Sequence, residues 1–188
     1  MTIKVGMISL GCSKNQVDAE RLLAMLAGDG FTICNDMTEC DAVIVNTCGF
    51  IEDAKKEAIE NILEAARYKK TGKCRALIVT GCLAERYRDD VTEEIPEVDV
   101  CVGIGSNGRI CDIVKNAIEG KKQNCYGEKY ELDLNADRIL GGYPFSTYLK
   151  VADGCDNCCT YCAIPKIRGR MRSRRIEDCV AEAKILAE

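Results

Sequence analysis

Ala42-Val43-Ile44-Val45-Asn46-Thr47-Cys48-Gly49 holds four apolar residues, two polar ones, a cysteine and a glycine. The run Ala42–Val45 is continuous rather than alternating and too short for a helix. It predicts a strand buried on both faces, as strands are in a parallel sheet with helices above and below. Beyond it Ile51, Ala54, Ala58, Ile59, Ile62, Leu63 and Ala66 keep helical spacing and mark one face of a long helix. The same plan occurs on either side. Lys4–Leu10 is an apolar run closed by Gly11 and followed by Cys12. Ser13-Lys14-Asn15-Gln16 then reads as a capping box, with Ser13 at the cap, before Val17, Leu22, Leu23 and Leu26. Ala76–Val79 is followed by Thr80-Gly81-Cys82. Val98–Val102 is followed by Ser106, read as the cap of a helix carrying Ile110, Ile113, Val114 and Ala117. Apolar strands alternating with helices predict an α/β fold with a parallel sheet covered on both faces.

The pattern changes after Gly120. A polar stretch with patchy alternation at Tyr130, Leu132 and Leu134 runs to Gly141-Gly142 and reads as a linker with a short edge strand. The expected organisation is an α/β domain over 1–120, a linker over 121–142 and a further element over 143–188. In that last element Ser146–Val151 reads as a strand, a cysteine-rich loop follows Gly154, and Ile176–Ala187 reads as a helix.

Of the 188 residues 47% are apolar and 30% charged, a globular composition. No apolar run reaches the roughly 18 residues of a membrane span, and Met1-Thr2-Ile3-Lys4-Val5 lacks a signal-peptide core. A cytoplasmic protein without a membrane partner is expected. The net charge of −4 argues against a chain-wide nucleic-acid surface, although Lys166, Arg168, Arg170, Arg172, Arg174 and Arg175 form a basic run without an acid. The 14 cysteines beside no histidine are more decisive. They exclude a histidine triad and histidine-ligated zinc, and they point to thiolate ligands for zinc or iron–sulfur.

In a parallel α/β sheet the loops after the strands open at one end, where ligands bind. Cys12, Cys48 and Cys82, 36 and 34 residues apart, each fall in such a loop and can converge on one crevice. The plainer alternative makes each a small buried apolar residue. That reading is preferred for Cys34, Cys40, Cys74, Cys101, Cys111, Cys125 and Cys179, which lack the shared placement. The local group Cys155, Cys159 and Cys162 is C-x3-C-x2-C, able to hold a four-iron cluster while leaving one iron open. Cys158 adds a second grouping, C-x2-C-C-x2-C, and four thiolates can also close around zinc.

Tyr161 before the last cysteine, with Tyr148-Leu149-Lys150-Val151 ahead and Ala163-Ile164-Pro165 and Arg168-Gly169 behind, resembles the radical S-adenosylmethionine signature of the methylthiotransferases. Leu10-Gly11-Cys12-Ser13-Lys14-Asn15, Asn46-Thr47-Cys48-Gly49-Phe50 and Thr80-Gly81-Cys82 are similar to that family's first domain, in order. Ser-Leu-Gly-Cys-Ser-Lys-Asn and Cys-Ala-Ile-Pro resemble its ribosomal-protein branch. The resemblance implies two 4Fe–4S clusters. Cys155, Cys159 and Cys162 would hold one that chelates S-adenosylmethionine, with Tyr161 near the adenine. Cys12, Cys48 and Cys82 would hold a second that carries the sulfur. The implied activity is methylthiolation of the β-carbon of an aspartate in small-subunit ribosomal protein twelve. In it one S-adenosylmethionine supplies the methyl group and a second, cleaved reductively, abstracts the hydrogen. No side chain is assigned as catalytic. An electron donor and a contact with ribosomal RNA complete the implied partners.

Two features depart from the family. Cys158 is an extra thiol, read as incidental. Only about one βα unit of a partial barrel follows residue 142, so an N-terminal fragment, inactive alone, is expected. Two rival readings are a transfer-RNA (adenosine) methylthiotransferase, suggested by the basic run, and a non-catalytic iron–sulfur or zinc module.

Overall fold

The computed structural model describes residues 2–129, 133–141 and 145–187. Five strands form the central sheet: β1 (Lys4–Ser9), β2 (Thr32–Ile33), β3 (Ala42–Thr47), β4 (Ala76–Gly81) and β5 (Val100–Val102). Their spatial order is β2-β1-β3-β4-β5, and every pair is parallel. This is the α/β architecture that the apolar runs predict, widened by the two-residue β2 that pairs Thr32 and Ile33 with Lys4 and Val5. The central strands β3 and β4 are buried along their whole length, which is why they read as continuous apolar runs.

Helices α1 (Ser13–Gly28), α2 (Glu52–Thr71), α3 (Cys82–Tyr87), α4 (Asp89–Glu94) and α5 (Ile110–Ile118) follow the strands. Val43, Val45, Leu77 and Val79 pack with Ala58, Ile62 and Ala65 of α2 on one face. Ala42, Ile44, Ala76 and Ile78 pack with Leu22 and Leu26 of α1 and Ile110, Ile113 and Val114 of α5 on the other. Each fully buried Val, Leu or Ile among them stabilises the fold by roughly 1.5–3 kcal/mol relative to exposure. The apolar stripe of α2 is wider than the sheet covers. Ile59 and Leu63 stay exposed and line a cavity of about 340 Å³ with Leu83, Tyr87 and Val91.

Two helix starts differ from their sequence reading. Ser13 is the first residue of α1 and Cys12 its cap, without a side-chain cap bond. The chain leaves β1 through Gly11 at φ +96° and enters the helix directly, while Gln16 turns to Glu20 (3.1 Å) instead of back to the cap. Ser106 lies inside a 3-10 turn, Ile104–Arg109, and α5 begins only at Ile110.

Past α5 the polar stretch folds back on the open edge of β5. Cys125 bridges to Val102, and the Asn124 side chain accepts a bond from the Cys101 amide at 2.9 Å. Tyr130, Leu132 and Gly142 lie outside the described residues. The chain continues through β6 (Ala152–Asp153), α6 (Ile164–Arg168), β7 (Arg172–Ser173) and α7 (Ile176–Ala187). The strand expected over Ser146–Val151 is not formed. Pairing starts only at Ala152, in an antiparallel two-strand ladder with β7, and Leu149 and Val151 are exposed. Among the described residues no helix is long and apolar enough to cross a membrane.

Candidate functional site

The strand order reverses direction at β1. The chain runs from β1 to its neighbour β2 on one side, then crosses to β3 on the other. In open α/β sheets such a reversal leaves a crevice at the C-terminal strand ends, where ligands bind. Cys12 follows β1, Cys48 follows β3, and Cys82 follows β4 as the first residue of α3. Their three loops touch. A Cβ on Gly11 would sit 2.7 Å from Cys48 Cβ, and one on Gly81 would sit 2.4 Å from the Thr47 carbonyl oxygen. Both glycines have positive φ, so only glycine permits the turn and the approach together. Gly49 lies as close to the backbone of Leu83.

Buried polar side chains fix this contact. Asn15, 1% exposed, donates to the Leu10 carbonyl (3.0 Å) and the Thr47 carbonyl (2.7 Å), tying the loops that carry Cys12 and Cys48. Asn46 donates back to the Asn15 carbonyl at 2.8 Å, and the Thr47 hydroxyl donates to the Thr80 carbonyl at 2.6 Å. The third loop joins through Cys82, whose thiol meets Asn15 Oδ1 at 3.5 Å. Cys12 is exposed, and Cys48 and Cys82 are buried. Burial pushes the Cys82 thiol up to about 11; Arg168 opposes the rise, and the nearby Cys48 and Cys12 thiols add to it.

Arg168 reaches this site from α6. Its Nη2 donates to Asn15 Oδ1 (2.8 Å) and lies 3.6 Å from Cys82 Sγ. Its Nη1 faces Asp18 (2.9 Å) and Asp153 (3.1 Å). Lys150 bridges the same two acids at 2.6 and 2.8 Å. All four charged side chains are buried, so each depends on the others, because an unpaired buried charge is costly. Burial raises the Asp153 carboxyl, yet Arg168 and Lys150 outweigh it and hold it at about 2. Behind the charges Ile167, fully buried, packs on Cys82 and Ile104. The basic run is therefore not a uniformly solvated surface. Arg168 is buried, and the Arg174 side chain is buried in an ion pair with Glu182, whereas the Arg170 side chain is 95% exposed.

Asn15, Asp18, Lys150, Asp153 and Arg168 were not picked out as site residues by spacing. Asp18 carries a legible signal: it stands four residues before Leu22 and eight before Leu26, on the buried face of α1 where a charge needs a partner.

The second cysteine group is held by few contacts, among them the Met171 amide donating to Asp156 Oδ1 at 3.1 Å. The Cys155 amide donates to the Gly169 carbonyl and the Cys162 amide to the Cys159 carbonyl, both at 3.1 Å. Cys155 and Cys162 are half-buried, Cys158 and Cys159 are exposed, and Tyr161 is 86% exposed. A polar cavity of about 550 Å³ adjoins Cys162 and Tyr161, with Arg86, Arg88, Lys129 and Lys166 on its walls. Cys40, Cys74 and Cys101 belong to the core, and Cys34, Cys111, Cys125 and Cys179 are half-buried. All 14 cysteines are free thiols. Among the described residues no three Cys, Asp or Glu groups could hold a single metal ion. A four-iron cluster makes a different demand, since each thiolate binds a different iron and the ligands stand farther apart.

Comparison with known proteins covers the whole chain. Residues 4–103 match a family described as "Uncharacterized protein family UPF0004". The chain is 52% identical over 98% of its length to the ribosomal protein uS12 methylthiotransferase RimO of Desulforamulus reducens. Proteins of the same name from Clostridium tetani and Syntrophotalea carbinolica are 47% identical over 99% and 48% identical over 97% of the chain. The chain spans about 42% of the length of these relatives. The family match takes in the sheet, the three strand-end cysteines and Asn15, and by it the chain belongs to the UPF0004 family, with sequence likeness to methylthiotransferases running from end to end.

Proposed function

We propose that the chain is the part of a uS12-directed methylthiotransferase that carries both cysteine sites. In this reading Cys12, Cys48 and Cys82 hold one 4Fe–4S cluster, and Cys155, Cys159 and Cys162 hold the other. Tyr161 lies beside the adenine of S-adenosylmethionine. Residues 1–120 are the α/β domain, 121–142 the linker and 143–188 the start of the radical domain. The observation that carries it is three cysteines on touching loops at the strand-end crevice, with an all-sulfur donor set. That set fits iron–sulfur chemistry. The names of the relatives favour ribosomal protein twelve as substrate over transfer RNA. The two buried arginines of the basic run remove part of the case for the transfer-RNA reading.

When bound, the clusters and S-adenosylmethionine supply the sulfur, the methyl group and the one-electron chemistry that an unactivated aspartate C–H bond requires. The chain's own residues prepare the place. Gly11 and Gly81 let the loops close, Asn15 and Thr47 fix their separation, and the exposed Cys12 leaves one side open for loading. Ribosomal protein twelve, ribosomal RNA and an electron donor are the partners of this reading, and the cytoplasm its setting.

Anaerobic reconstitution with ferrous iron and sulfide tests it. The chain should bind two clusters. Alanine at Cys12, Cys48 or Cys82 should halve the iron, and alanine at Cys155, Cys159 or Cys162 should remove the other half. Equal iron in all variants, or zinc without sulfide, would replace this reading by the interaction module. Mass spectrometry of ribosomal protein twelve for methylthio-aspartate tests the substrate.

A further inference from the structure

We infer that Arg168 is a positioning residue for the strand-end sulfur site: its guanidinium is the donor and fixed positive charge that Cys82 faces, and it raises the reduction potential of the cluster ligated there. This deepens the reading that Cys12, Cys48 and Cys82 hold a cluster and rests on it.

Arg168 is 150 residues from Asp18 in sequence, yet its side chain is 1% exposed and both of its Nη atoms are engaged. A simple staple between α1 and the C-terminal segment would need only Asp18 and Asn15, without the approach to Cys82. Two acids, Asp18 and Asp153, face two buried bases, Lys150 and Arg168, and the half-exposed Lys14 reaches Asp153 at 3.8 Å. The Nη2 arm bonds Asn15 Oδ1 on α1 and also reaches Cys82 Sγ, which no staple requires. Lysine, a point charge on a flexible stem, could not serve both arms.

Ligation changes what Cys82 can do. As a thiol it donates to Asn15 Oδ1 at 3.5 Å; as a ligand it has lost that proton and can only accept. Arg168 Nη2, already 3.6 Å away, is then the donor that answers it, in a charge-assisted bond. Adding an electron to a cluster adds negative charge beside this cation. Charge and hydrogen bonds at the cluster sulfurs are among the levers that set its potential, and burial strengthens both.

The test uses the 188-residue chain with Cys155, Cys159 and Cys162 replaced by serine, so that any cluster belongs to the strand-end site. After anaerobic reconstitution, iron and sulfide are counted and the potential is read by electron paramagnetic resonance during redox titration. Arg168→Gln should move the potential to a more negative value, and Arg168→Lys should recover part of the shift. Asp18→Asn removes an acid that offsets Arg168 without touching Cys82, and it should move the potential the opposite way. It decides the matter if Arg168→Gln fails to fold. Potentials equal to the parent in both Arg168→Gln and Asp18→Asn would overturn the inference. A parent that holds no iron would overturn the underlying reading, and the inference with it.

Discussion

The two cysteine groups are built in opposite ways. Cys155, Cys159 and Cys162 are close because they are neighbours in sequence, and their half-exposed loop is held by few backbone contacts. Cys12, Cys48 and Cys82 are brought together only by the parallel sheet, and buried asparagine, threonine and glycine contacts hold their loops in place. The first arrangement tolerates change around it. The second depends on contacts between loops that are distant in sequence.

The severest break of this contrast is Arg168→Met. It leaves Asp18 and Asp153 buried with one cation between them. Removing one partner of a buried ion pair costs about 3–5 kcal/mol, so the urea midpoint should fall by the corresponding amount. A midpoint within error of the parent would mean that the charges are solvated.

Gly81→Ala comes next. Its Cβ would meet the Thr47 carbonyl and Asn46 Oδ1 at 2.4 and 2.6 Å, in a backbone conformation that costs a side chain about 1–3 kcal/mol. Gly141→Ala, which meets nothing within 4 Å, is the control. The Gly81 variant should also lose iron at the strand-end site while the local loop keeps its share, which iron analysis after reconstitution reads directly.

Asp99 sits at the opposite end of the sheet and sharpens the comparison. It accepts from the Leu77 amide (2.8 Å), Lys69 (2.6 Å) and Lys122 (2.8 Å). Burial raises its carboxyl, but these donors outweigh it and hold it below the usual range. A carboxyl lowered in the folded state stabilises it above the unfolded value of about 3.9, and that stability fades as pH falls below it. Urea midpoints from about pH 6 downward should lose this segment in Asp99→Asn, at a cost of about 1–3 kcal/mol near neutrality. The cysteine sites should retain their iron.

The smallest effect belongs to Cys158→Ser. The side chain is exposed, and its sulfur contacts only the Asp156 carbonyl at 3.7 Å. Stability should change by no more than about 0.5 kcal/mol, and iron content should not change. A halving of iron would make Cys158 a ligand.

Particular elements explain what could be read in advance. Helix α7 begins at Ile176, where its apolar spacing predicts, and β3 and β4 lie on the apolar runs. Those signals are local and repeated. Two-residue β2 carries no periodicity that a window could detect. Ser146–Val151 reads as a strand, but only Ala152 and Asp153 pair, with Ser173 and Arg172 of the short β7. In the sequence Arg168 is one member of a basic run. Its burial depends on Asp18, Asn15 and Cys82, and no window contains all four.

That separation has a consequence for how the molecule assembles during synthesis. Loops of 132 to 153 residues close when Lys150 and Arg168 meet Asp18 and Asn15. Such long-range contacts form late, after the entropy of closing the loop has been met, and the N-terminal part of a chain leaves the ribosome first. The sheet, with its three strand-end thiols, therefore completes while Asp18 still faces water and Cys82 has no cover. Only when α6 has been translated and docks does the lid of Ile167 and Arg168 come down. An interval exists in each round of translation when the three strand-end thiols stand uncovered.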